Sequence, residues 1–134
     1  RAAEANIRSA RRGAAANQPA IWYAFATVRR AQDDPANAID NLRRGIRQPG
    51  SGFFLRQDLT ELLMARSEWS EADKVADAAW KRFGKPSDLL PSMIAIKVQA
   101  DNKPGANALN LECQAKHRVV AEKCAEALQG GPPA

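Results

Sequence analysis

The chain has 134 residues, with twenty Lys or Arg against fifteen Asp or Glu for a net charge of +5, and its residues are 45% hydrophobic but only 6% aromatic. That length suits one compact domain or about three to four stacked helical pairs, and plentiful Ala and Arg with few β-branched residues favour helix over strand. No stretch approaches the roughly 18 uninterrupted apolar residues of a membrane span, so no transmembrane segment is expected.

The charge is unevenly spread. Residues 1–50 hold nine Arg and four carboxylates, whereas residues 51–134 are neutral. The excess sits in Arg8, Arg11, Arg12, Arg29, Arg30, Arg43, Arg44 and Arg47. Such an end attracts an acidic partner, an anionic lipid surface or nucleic acid; its plainer reading is a solvated helix surface. The chain starts at Arg1 rather than Met, as expected of a piece of a longer protein.

Taken in order, Ala2–Ala16 reads as a leading helix with Ile7, Ala10 and Ala14 on one face, ended before Pro19. A helix from Pro19 to Ala31 carries Ile21, Trp22, Phe25, Ala26 and Val28. Asp34 then reads as an N-cap with Pro35 in the first turn, opening a helix to Arg47 that buries Ala38, Ile39, Leu42 and Ile46. Gln48-Pro49-Gly50-Ser51-Gly52 stops it. Phe53–Arg66 shows Leu55, Leu59, Leu62 and Leu63 at helical spacing, and Ser70 with Asp73 predicts a capping box opening a helix to Phe83. Ser87 is the expected cap of a helix with Leu90, Met93, Ile94 and Val98, with Pro91 tolerated in its first turn. Lys103-Pro104-Gly105 reads as a break before a helix carrying Ala108, Leu109, Leu111 and Ala115. A last helix over 118–128 aligns Val120, Ala121, Cys124, Ala125 and Leu128, and 129–134 reads as a disordered tail.

The runs opening at Ala38 and Ala72 repeat with a period of about 34 residues, each after a polar break that follows an apolar helix pattern. A helix-turn-helix unit of this period cannot bury its apolar face alone, so neighbouring units must stack. Matching Pro35 to Pro104, or Asn37-Ala38 to Asn107-Ala108, overshoots twice that period by a place or two. The third unit is therefore expected to contain one or two inserted residues near Gly84–Ser87.

Chemistry-bearing sets are sparse. His117 stands alone at a helix junction, the glycines of 48–52 lack a following Gly-Lys-Thr and a preceding strand, and Asp33-Asp34 is accounted for by capping. No catalytic residue and no cofactor is expected. Two Cys and one His are too few for a metal site. Cys113 and Cys124, eleven residues apart, face one another if their helices form an antiparallel hairpin. They then either form a disulfide, implying an oxidising compartment such as a periplasm or cell envelope, or stay as buried thiols, as in a cytoplasm.

In these residues the chain resembles the tetratricopeptide repeat family. That family's first helix carries a Trp, a Leu three residues on, a small residue beside it and a Tyr three further; Trp22, Phe25 and Ala26 hold the first three places and Arg29 departs at the fourth. Its second helix carries a small residue, a large one and another small one, here Ala38, Leu42 and Gly45. In the second unit Leu59, Leu63, Ala72 and Ala79 match, Thr60 and Ala76 take the remaining places, Arg56 stands where Trp is usual, and Gly84 where Pro is usual. The resemblance implies an all-α, right-handed superhelical array of antiparallel helix pairs forming a single domain over 1–128. Its parts are a leading helix (1–18), repeats at 19–52, 53–87 and 88–117, and a capping helix at 118–128.

It also implies a concave groove lined by Ala20, Tyr23, Thr27 and Arg30 in the first repeat and by Phe54, Gln57, Glu61 and Met64 in the second. Aromatic and Met side chains among a few charges suit gripping a peptide or helix, although Phe54 and Met64 have an alternative in packing against the next helix. The expectation is therefore a non-enzymatic protein–protein interaction module of a larger bacterial protein or assembly. Arg30 and Glu61 would orient the partner. Binding of nucleic acid or an anionic surface through the basic first third is the alternative.

Overall fold

The computed structural model describes residues 18–130, and every regular element among them is helical. The α-helices are α1 (Pro19–Ala31), α2 (Pro35–Ile46), α3 (Phe53–Ala65), α4 (Trp69–Arg82), α5 (Leu90–Gln99), α6 (Lys103–Lys116) and α7 (Ala121–Leu128), with 3-10 turns at Ser87–Leu89 and Arg118–Val120. The chain divides into two compact units, Arg1–Leu62 and Leu63–Ala134. Apart from Gln18, at the N-cap position of α1, the expected leading helix lies outside the described residues. Gln129 and Gly130 close the end of α7 as a turn; the rest of the expected tail, 131–134, also lies outside.

The period is kept more strictly than the sequence suggests. Helices α2, α4 and α6 begin at Pro35, Trp69 and Lys103, equally spaced along the chain. Helices α1, α3 and α5 end at Ala31, Ala65 and Gln99, at the same interval. The helical starts at Pro19, Phe53 and Ser87, the last in the 3-10 turn that leads into α5, continue it. This corrects the expected insertion in the third unit. The equivalent residues are the fully buried Ala38, Ala72 and Ala106, not the prolines or the Asn-Ala pairs, and Pro104 sits one place later in its helix than Pro35 does.

The turns that follow α1, α3 and α5 share one backbone form. Asp33, Ser67 and Asp101 adopt left-handed φ of 55°, 60° and 56°. The next amide donates back across the helix end, Asp34 N to Arg29 O at 2.8 Å, Glu68 N to Leu63 O at 2.9 Å and Asn102 N to Lys97 O at 2.9 Å. This satisfies carbonyls that a helix end otherwise leaves open. The same residue then stands at the N-cap of the following helix: the side chains of Asp34 and Asn102 accept from the amides of Asn37 and Gly105, whereas Glu68 makes no such bond. The expected Ser70 capping box is therefore corrected, since α4 is already helical at Trp69. The expected break at 103–105 is also shorter, because Asn102 caps α6 directly.

In the first unit α1 and α2 pack together through Trp22, Phe25 and Ala26 against Ala38, Ile39 and Leu42, all buried. Trp22 and Phe25 meet edge to face at 5.4 Å. Gly45 sets the approach, since a Cβ there would lie 2.8 Å from Trp22 Cβ and 3.3 Å from a Leu55 methyl. In the second unit α5 is buried at every residue from Leu90 to Ile96, as expected of a helix that is apolar all round. Helices α4, α6 and α7 all pack on it. Lys97 of α5 pairs with Asp73 of α4 at 3.5 Å. Cys113 of α6 and Cys124 of α7 lie at disulfide distance with Cα atoms 6.6 Å apart, the geometry of the bridged alternative.

Two substitutions test this frame by urea unfolding. Gly45→Ala gains up to about 1 kcal/mol of helix propensity but forces a Cβ into Trp22, an overpacking cost of about 1–3 kcal/mol; a lower midpoint is expected, and an unchanged or raised one would show the helices free to separate. Asn102→Ala removes the cap of α6 and should cost about 1 kcal/mol; no loss would mean that the side-chain cap adds nothing to the main-chain turn.

Candidate functional site

Pro19 starts α1 with the φ a first helical turn needs and no amide to leave unpaired. Residues Ala20, Tyr23, Thr27 and Arg30 follow at spacings of three and four, which puts them on one face of that helix. Tyr23 is 40% exposed and Phe54, in the first turn of α3, 65% exposed. Together with Pro19, Ala20, Gly52 and Leu55 they line an open, largely apolar cavity of about 350 Å³. Phe53 lies beside Phe54, ring centres 6.0 Å apart.

The edge of this cavity is fixed by a residue that the sequence marks only as a departure. Arg56 is buried, and its Nη1 donates to Ser51 Oγ at 3.0 Å and to Gly52 O at 3.1 Å. Ser51 Oγ in turn donates to Ile46 O at 2.9 Å. The glycine-containing connection 48–52 is thus tied to both α2 and α3. A guanidinium suits this task because it holds several donors in a fixed fork at the end of a long stem.

Arg30 does not project an unpartnered charge. Its Nη1 meets Asp58 Oδ2 at 3.1 Å, joining α1 to α3 inside the first unit. Burial raises the pKa of Asp58, and the Arg30 guanidinium opposes that rise through its charge and hydrogen bond. Asp34 shifts the other way: the side-chain bond from Asn37, then its backbone bond, favours the carboxylate. Elsewhere in the unit Trp22, Asp40, Arg44, Arg47 and Gln48 line a more polar recess of about 270 Å³. Arg44 stacks over the Trp22 ring at 5.6 Å and pairs with Asp40 at 3.1 Å.

The expected groove residues therefore separate. Tyr23 and Phe54 share one cavity wall; Thr27 is exposed beside them with its hydroxyl donating to the Tyr23 carbonyl at 3.0 Å. Gln57 is half-buried and Glu61 exposed on α3. Met64 stands apart from them. It is only 7% exposed and belongs to the second compact unit, Leu63–Ala134. Asp58 is absent from the expected set, although it lies one helical turn beyond Phe54 and Arg30 lies one turn beyond Thr27, a spacing that offers the signal.

His117 closes α6 and stacks on Trp80 with ring centres 6.2 Å apart, a junction residue as expected. Among the described residues no group of three His, Cys, Asp or Glu side chains is arranged to hold a metal ion, and no helix is long and apolar enough to cross a membrane.

The Arg30–Asp58 pair makes a signed prediction. Because the folded pKa of Asp58 lies above 3.8, its contribution to stability is present at low pH and lost as pH rises from 3.8 through the folded value. Arg30→Ala removes the cation that favours the carboxylate, so the Asp58 midpoint should move further up, with a loss at neutral pH of about 0.2–1 kcal/mol for a partly exposed pair. Carbon-detected NMR titration of the carboxyl group checks this, and a midpoint that falls or stays put removes Arg30 from the account.

No family model, curated protein or solved structure matches the chain.

Proposed function

We propose that the chain is a non-enzymatic protein–protein interaction module of the tetratricopeptide type, which takes a peptide or helix of a partner on the first-helix face around Tyr23 and Phe54. One observation carries the reading: two large aromatic side chains stay exposed on an apolar cavity wall whose backbone is held by Pro19 and by the Arg56 hydrogen bonds. Rigid aromatic rings at a pre-formed recess are the usual anchors of an interface, because ordering them on binding costs little. The Arg30–Asp58 pair and the exposed Glu61, on the same two helices, would orient the bound segment. The even recurrence of helix starts along the chain supports the repeat assignment. The bridged Cys113 and Cys124 support an oxidising compartment, such as a bacterial periplasm or cell envelope.

The arginine-rich alternative has weaker support. Within 18–62, six arginines stand with five carboxylates, and Arg30 and Arg44 are already in ion pairs. Nucleic-acid affinity would have to come mostly from the residues before Gln18.

Random-peptide phage display against the intact chain, followed by anisotropy titration of the selected peptides, tests the proposal. Tyr23→Ala/Phe54→Ala is expected to weaken them by at least about 10-fold, the loss typical of truncated anchor residues, while Lys123→Ala leaves them unchanged. Peptides that bind the double variant equally well overturn it. So does a screen that selects none while a random-sequence DNA duplex shifts at low salt.

A further inference from the structure

We infer that the Cys113–Cys124 bridge is a redox latch that keeps α7 docked on the second unit, and that a thiol reductant releases this helix and uncovers the apolar side of α5. The first support is how little of α7 is fully buried. It has eight residues, and of its own side chains only Cys124 and Ala127 are buried. Val120, in the preceding 3-10 turn, adds one more buried apolar group. A helix of this length does not persist alone in water, where about 12–15 residues are marginal. Beyond the bridge, Gln114 Nε2 ties α7 to α6 by donating to Ala121 O at 2.8 Å.

The second support is what α7 covers. Helix α5 is buried on all sides from Leu90 to Ile96, and α7 supplies part of that cover along with α4 and α6. Removing α7 therefore exposes an apolar face, whereas α5 keeps its contacts with α4, its Lys97–Asp73 pair and its packing on α6. The period points the same way. Cys113 stands at the place of Gly45 and Ala79 in the second helices, and Cys124 at the place of Arg56 and Leu90 in the first helices. At the equivalent places of the earlier helices no cysteine occurs, so a covalent bond is available at this one junction alone.

Both sulfurs are fully buried, so exchange must proceed from a locally opened form of the α6–α7 hairpin. A reductant thiolate attacks one sulfur, giving a mixed disulfide and one Cys thiolate. A second thiolate of the reductant then displaces the other Cys. Two electrons and two protons pass to the chain, leaving two Cys thiols and one oxidised dithiol.

Hydrogen exchange read by mass spectrometry on the full chain tests the latch, comparing oxidised protein with protein reduced by dithiothreitol in urea and refolded in excess dithiothreitol. Closing a loop of this length restrains the open form by about 100-fold. Protection over 118–128 is therefore expected to fall by about that factor on reduction, with α4 and the first turns of α6 unchanged. Binding of an apolar dye should rise in parallel. Cys113→Ala/Cys124→Ala is expected to reproduce the reduced pattern without any reductant. Unchanged protection over 118–128 in the reduced protein or in the variant overturns the latch. A loss spread evenly over 63–130 overturns it too, since the bridge would then stabilise the whole unit instead of one helix.

Discussion

The fold depends on small side chains recurring where two helices must come close. Ala38, Ala72 and Ala106 are all fully buried, one in each second helix. Gly45, Ala79 and Cys113 hold a second such row seven residues later. Helix axes at packing distance leave no room for branched residues at the crossing, so large residues collect to either side of it. At Gly45 this limit is visible in the Trp22 Cβ, which would lie only 2.8 Å from any Cβ added there. The bulk of Trp22, Phe25 and Leu42 is then accommodated around the crossing and not in it.

The same limit explains why some of the architecture is legible in the chain and some is not. Helix identities, the Asp34 cap and the period between the first two units follow from apolar spacing and from Pro and Gly punctuation. Matching similar letters, by contrast, shifts the third unit. Pro104 and Asn107-Ala108 look like Pro35 and Asn37-Ala38, but burial selects Ala106 as the partner of Ala38, and letters outside the core carry no such constraint. The burial of Met64 is illegible for a related reason: spacing identifies a face of a helix but not how deeply each residue on it is covered. Arg56 is recognisable as an oddity in a Trp place. Its action, gathering Ser51 and Gly52 around a buried guanidinium, depends on a loop conformation that no local pattern encodes.

Three arginines of the first unit are engaged by groups of that unit. Arg30 closes on Asp58, Arg44 on Asp40 and the Trp22 ring, and Arg56 on the 48–52 connection. An arginine can serve this way because its long apolar stem packs while its planar head makes several directed bonds. The wall with Tyr23 and Phe54 is itself lined by Pro19, Ala20, Gly52 and Leu55, with no charged residue among them. An uncharged, weakly hydrated surface of that kind suits contacts driven by desolvation more than long-range attraction.

The left-handed residue at Asp33, Ser67 and Asp101 has one more consequence. Each reversal of direction is held by amide-to-carbonyl bonds, and the side chain at the bend differs in kind between an acid and a hydroxyl. A hinge fastened through the main chain accepts many alphabets. Under mutation, the spelling of such a repeat would fade long before its shape does, and two distant copies could coincide in three dimensions while sharing few letters.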